Sequence, residues 1–89
     1  MYLHLGQDVL IKKSDIIGIF DLDKATVSKR TRTFLDQKQR EGLLVNTATD
    51  LPKSFVVCNW GSQVIVYISQ ISPQTLMKRC NYIQKISYI

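Results

Sequence analysis

Few side chains in this sequence are capable of acid–base, nucleophilic or metal chemistry, and their spacing does not assemble them. His4 is the single histidine. A Ser-His or Cys-His site needs a histidine able to take a proton from the nucleophile. His4 lies in the alternating stretch Tyr2-Leu3-His4-Leu5, where a structural role is expected. Cys58 and Cys80 lack the paired spacing of a zinc site, so two reduced, partly buried thiols are expected. Gly6, Gly18, Gly42 and Gly61 are scattered singly, which excludes a glycine-rich phosphate cradle. Asp21-Leu22-Asp23 brings two carboxylates close. They read as a weak cation site or as the acidic start of a helix, where the dipole favours negative charge. Trp60, on an expected hairpin tip, could stack on a base, anchor a partner or simply pack. The chain is expected to be no enzyme, with no cofactor, no metal and no small-molecule substrate.

What remains is charge. Lys and Arg number 12 against 7 Asp and Glu, a net charge of +5 with a pI near 9.4. The acids gather early, as Asp8, Asp15, Asp21 and Asp23. The bases gather between residues 24 and 41, where Lys24, Lys29, Arg30, Arg32, Lys38 and Arg40 face only Asp36 and Glu41. Beyond Asp50 the chain carries Lys53, Lys78, Arg79 and Lys85 and no acid. Lys29, Arg32 and Asp36 share one helical stripe, with Arg30 beside it. Such a stripe is either a phosphate-contacting face, since Lys and Arg displace condensed counterions from nucleic acid, or a solvated face that keeps the protein soluble.

The elements that would carry these side chains follow from periodicity. Tyr2–Leu5 and Val9–Ile11, joined by a Gly-Gln-Asp turn, read as a short hairpin. Ile16–Phe20 is a β-branched run and a buried strand candidate. Asp21–Lys24 breaks the pattern. Thr26–Glu41 contains no Gly or Pro, and Val27, Thr31, Phe34, Leu35 and Lys38 recur at helical spacing. Gly42 closes this helix in the usual C-terminal position. Leu43–Val45 is a short strand, and 46–53 is a loop. Phe55–Cys58 and Val64–Ile68 are two further strands, with Asn59–Gln63 as their hairpin loop. Ser72 before Pro73 reads as an N-cap followed by proline at the first helical position, and Thr75–Tyr82 continues as a short helix.

The fold class expected is therefore α+β: a small, mostly antiparallel sheet with one long helix and a short C-terminal helix. At 89 residues there is room for one domain with a thin core. Both faces of Ile16–Phe20 and of Val64–Ile68 are apolar. One long helix cannot cover both sides of a sheet, so a subunit interface is expected, with a self-sufficient sandwich as the alternative. The N-terminus lacks a basic start and long apolar run. The longest apolar runs are far short of the ~20 residues that span a bilayer. A cytoplasmic protein is expected, with no membrane partner.

Four blocks carry a resemblance: Met1-Tyr2-Leu3-His4-Leu5-Gly6, Asp15-Ile16-Ile17-Gly18-Ile19-Phe20-Asp21, Pro52-Lys53-Ser54-Phe55-Val56-Val57 and Ile71-Ser72-Pro73-Gln74-Thr75-Leu76-Met77-Lys78-Arg79. In order and spacing the chain resembles the RemA/RemB family of small bacterial extracellular matrix regulators. The match defines a domain over residues 1–80 and leaves 81–89 as a tail outside it. The resemblance implies a cytoplasmic protein of Gram-positive, spore-forming bacteria that activates biofilm matrix genes. It also implies ring-shaped homo-oligomers that bind double-stranded DNA through basic residues. The family places arginine where this chain has Asp15. It also places an arginine cluster in the loop that here reads Asp50-Leu51-Pro52-Lys53, of which Lys53 keeps the charge. The expected DNA-binding residues are therefore Lys53, the helix residues Lys29, Arg30 and Arg32, and the turn residues Lys12 and Lys13. A DNA-binding transcriptional regulator is the leading expectation. An oligomeric protein-interaction module that does not touch DNA is the alternative.

Overall fold

The computed structural model describes residues 1–80 and the strand Ser87–Tyr88. The elements run β1 (Tyr2–Gly6), β2 (Val9–Lys12), a 3-10 turn (Lys13–Asp15), β3 (Ile16–Asp21), α1 (Leu22–Ala25), α2 (Lys29–Arg40), β4 (Leu44–Asn46), β5 (Ser54–Trp60), β6 (Gln63–Ser69), α3 (Pro73–Cys80) and β7 (Ser87–Tyr88). This is the α+β architecture expected. β1 and β2 form a two-stranded hairpin, and the other strands form one sheet in the order β4-β6-β5-β3-β7. The long pairings β3-β5 and β5-β6 are antiparallel, whereas β4 and β7 add to the sheet in parallel.

The doubly apolar strands have their cause within one chain. On one face, Ile19, Val56, Cys58 and Ile65 pack with Leu3, Leu5 and Ile11 of the hairpin and with Leu76 and Cys80 of α3. On the other, Phe55, Val57 and Val66 pack with Phe20 and with Leu22, Ala25, Phe34 and Leu35 of α1 and α2. This packing follows the self-sufficient alternative, in which each face is covered from within the chain. The hairpin folds back as a layer of its own and does the covering together with α3.

Two buried hydroxyls stitch that layer to the sheet. The Thr47 hydroxyl donates to the Ile68 carbonyl at 2.8 Å and lies 3.3 Å from the Leu5 carbonyl. The Ser69 hydroxyl donates to the same Leu5 carbonyl at 2.6 Å. Gly6 is required beside them. Its φ is +142°, and a Cβ there would stand 2.7 Å from the Thr47 carbonyl oxygen.

The long helix starts three residues later than its periodicity suggests. Asp21 accepts from the Lys24 amide at 3.0 Å and caps the separate short helix α1. Thr26 then bonds back to the Leu22 carbonyl at 2.7 Å and ends it. Val27, whose spacing puts it on the core face, is 79% exposed at the elbow. At the far end, the Gly42 amide donates to Gln39 and the Leu43 amide to Lys38, the paired bonds that close a helix on a left-handed glycine. The β5-β6 connection is tighter than expected, because Trp60 pairs with Gln63 across only Gly61 and Ser62. Ser72 caps α3 through the Thr75 amide at 3.2 Å. The expected extension of that helix to Tyr82 falls outside the described residues. No helix among those described is long and apolar enough to cross a membrane.

Candidate nucleic-acid interface

The helix layer exposes Lys24, Lys29, Arg30 and Arg32 within nine residues. Lys29 and Arg30 open α2, both exposed, and its first turn holds no acidic residue. Ser28 at the N-cap makes no side-chain bond to the helix. The side-chain ion pair found among the described residues is Lys38–Glu41 at 3.3 Å, at the opposite end of α2. Lys24, Lys29 and Arg30 therefore stand without acidic partners among the described residues. Lys53 joins them by chain geometry. Its carbonyl accepts the Leu22 amide at 3.0 Å, so it sits where α1 leaves the sheet. The last turn of α2 lies beside Ser62 and Gln63, at the far end of β5 and β6. A 12-residue helix is ~18 Å long, which returns its first turn toward Lys53.

Arg32 differs from its neighbours. Its guanidinium donates to the Thr26 carbonyl at 2.7 Å and to the Val27 carbonyl at 2.9 Å. It satisfies carbonyls left over where α1 ends and so fixes the angle between the two helices. Its charge belongs to the same surface, but one of its terminal nitrogens is engaged.

Lys12 and Lys13 are on the other side of the sheet, with the hairpin layer. The Lys13 ammonium donates to the Arg79 carbonyl at 2.8 Å, at the negative end of α3. Lys12 is exposed and lines a recess with Tyr2, Leu10, Asp15 and Trp60. The six expected residues thus divide into Lys29, Arg30, Arg32 and Lys53 on one layer and Lys12 and Lys13 on the other. Lys24 belongs with the first set. The signal available for it was its place among the bases gathered between residues 24 and 41.

The two positions where the resemblance places arginine lie far apart. Asp15 sits next to Ile16, which pairs with Cys58 near the end of β5. Leu51 precedes the start of β5, in a loop held by the Gln70 side chain, whose oxygen accepts the Thr49 and Asp50 amides at 2.7 and 3.0 Å. A seven-residue strand separates them by ~20 Å. Leu51 is fully outside the core at 72% exposed, while Asp15 is half-buried.

The groups that carry chemistry elsewhere in the chain are engaged. His4 Nε2 bonds the Gln7 carbonyl at 2.7 Å across the hairpin turn. Cys58 and Cys80 are both free and buried. Burial, with help from the nearby Asp15 charge, pushes the Cys58 thiol up to about 12. Burial also raises Cys80, partly opposed by Lys13. Neither is a thiolate at neutral pH, so neither is poised as a nucleophile. No group of three or more potential metal ligands occurs among the described residues.

The sequence that builds this mixed sheet between a hairpin layer and a basic helix layer matches, over residues 2–80, the family model described as RemA-like, extracellular matrix regulatory protein A-like. The chain belongs to the RemA-like family. Among its relatives is extracellular matrix regulatory protein B of Bacillus subtilis (strain 168), 37% identical over 86 residues that cover 97% of this chain and 98% of the relative.

Proposed function

We propose that the protein is a non-enzymatic, cytoplasmic regulator of extracellular matrix genes that binds double-stranded DNA mainly through phosphates and acts as a cyclic homo-oligomer. The observation that carries the DNA reading is the cluster Lys24, Lys29, Arg30 and Lys53, exposed on one layer without acidic partners among the described residues. Phosphate contacts of this kind position a protein on a duplex without reading its sequence. A weak sequence preference goes with this reading.

Assembly rests on a different surface. Tyr2, Leu10 and Trp60 are 59%, 60% and 58% exposed and border one recess on the hairpin layer. Large apolar side chains gathered in this way mark a contact surface. The basic cluster lies on the opposite layer, so a head-to-tail contact through the recess leaves it free and repeats it around a closed ring. Many weak phosphate contacts on one rigid ring then act together through effective concentration.

The second reading, a protein-interaction module that does not touch DNA, is favoured by Asp15 and Leu51, which stand where the family's arginines are expected. Duplex binding measured against salt and duplex length separates the two. The DNA reading predicts binding that weakens on duplexes too short to span several subunits. The module reading predicts only marginal binding at every length, even at about 50 mM salt.

A further inference from the structure

We propose that the recess between α1, α2 and the β3–β5 face is a docking site for an acidic amphipathic segment of a protein partner, whose carboxylates meet Lys24, Lys29 and Arg30. The recess is an open groove of about 450 Å³. Its floor is apolar, made by Phe20, Phe55, Val57 and the flank of Phe34, with Lys24 and Ser28 at the rim. The Phe20 and Phe55 rings stack with centroids 5.0 Å apart at 18°, giving a flat aromatic base. Phe34 also lines a second depression, bordered by Lys29 and Arg30, so the groove and these two cations share one aromatic wall.

This arrangement exceeds what phosphate binding requires. A duplex backbone is satisfied by cations and amides and gains nothing from an aromatic floor. The groove exists because the helix layer is incomplete. α1 has only four residues, and α2 buries none of its residues fully. An amphipathic helix laid in such a groove buries its apolar anchors while its polar face meets the rim. Lys24 at the rim and Lys29 and Arg30 in the adjoining depression form no ion pair among the described residues, so the complementary partner is acidic. The proposal depends on the DNA reading in one consequence only: partner and duplex share Lys29 and Arg30 and therefore exclude each other.

The test uses the full chain and a fluorescein-labelled amphipathic peptide, with Glu and Asp on one helical face and Leu and Phe on the other. A scrambled peptide of the same composition is the control, and anisotropy is the readout. The amphipathic peptide should bind saturably and the scrambled one about tenfold more weakly, the equivalent of one large apolar anchor left unburied. Thr31→Met fills the groove from α2 without changing charge, and Ala25→Leu does so from α1. Each should weaken the peptide about tenfold and leave a labelled duplex unaffected. Unlabelled duplex should displace the peptide. Equal binding of both peptides would mean charge alone acts, and the proposal falls. Absence of peptide binding on protein that still binds duplex overturns it and leaves the DNA reading intact. Peptide bound by protein that ignores duplex supports the docking site and refutes the DNA reading. A loss of oligomer mass in the groove-filling variants, with no peptide bound by the wild type, would show the groove to be occupied by a second copy, which also overturns it.

Discussion

Single residues decide whether the hairpin stays on the sheet. Thr47 is almost completely buried, and its hydroxyl is shared between two carbonyls of different elements. Thr47→Val keeps the shape and removes these two contacts, while the Leu5 carbonyl keeps the Ser69 hydroxyl and the Ile68 carbonyl keeps the Thr47 amide, so it should destabilise the fold by about 1 kcal/mol in urea unfolding. Nothing in the sequence Asn46-Thr47-Ala48 announced this, because the partner carbonyls come from distant positions. Gly6 was visible as a turn glycine, but the Thr47 carbonyl that forbids a side chain there was not. The cysteines were legible, since an apolar strand pattern placed Cys58 inside. Its thiol stands at about 12 in the fold against 9.0 in the unfolded chain. Between those values the unfolded state releases a proton that the native state keeps, so stability falls as pH rises through that window and is intact below it. Urea midpoints should therefore decline from about pH 9 upward in the wild type and less in Cys58→Ala. A thiol reagent at about pH 8 should label Cys58 only as fast as the protein unfolds.

Among the elements, six strands were read from alternation and β-branching to within one or two residues, β7 (Ser87–Tyr88) lay in the stretch read as a tail and was missed, and the helix layer was misjoined. The run from Thr26 looks continuous because Thr31, Phe34, Leu35 and Lys38 keep a true helical spacing. Val27 fits the same spacing by coincidence. The break at the elbow comes from the local bonds of three side chains, Asp21, Thr26 and Arg32, and only the first has a sequence signature. This distinction separates two arginines that the sequence treats alike. Arg32→Gln removes the guanidinium from the Thr26 and Val27 carbonyls. It should lower stability by about 1 kcal/mol, roughly 4–8 °C in melting temperature for a domain of this size. Arg30→Gln should leave the melting temperature unchanged and weaken duplex binding at low salt. Calorimetry and anisotropy on the two variants check this, and equal thermal effects would remove the positioning role given to Arg32.

At the scale of the whole molecule, apolar strands on both faces suggested that a neighbour covers one of them, whereas the hairpin and α3 cover one face within the chain and α1 and α2 cover the other in part. The proposed assembly rests instead on Tyr2, Leu10 and Trp60. Their exposure was not legible in the sequence, because its alternation is satisfied whichever face the hairpin turns outward. Leu10→Glu with Trp60→Glu should reduce the mass seen by light scattering to that of a smaller species while circular dichroism stays unchanged. An unchanged mass would move the contact elsewhere. The basic surface was legible as composition and spacing, whereas its division between the two layers was not, since Lys12 and Lys13 reach the far side only through the fold of the hairpin. The central claim is that Lys29 and Arg30 meet DNA phosphates on repeated copies of one surface. Its most direct measurement is duplex affinity against salt, from about 50 to about 200 mM, for wild type and for Lys29→Gln with Arg30→Gln on protein of the same oligomeric mass. The account predicts binding that is weaker for all sequences alike, with a log–log slope shallower by about 0.9 for each phosphate that the variant no longer neutralises. An unchanged affinity and slope in the double variant would contradict it.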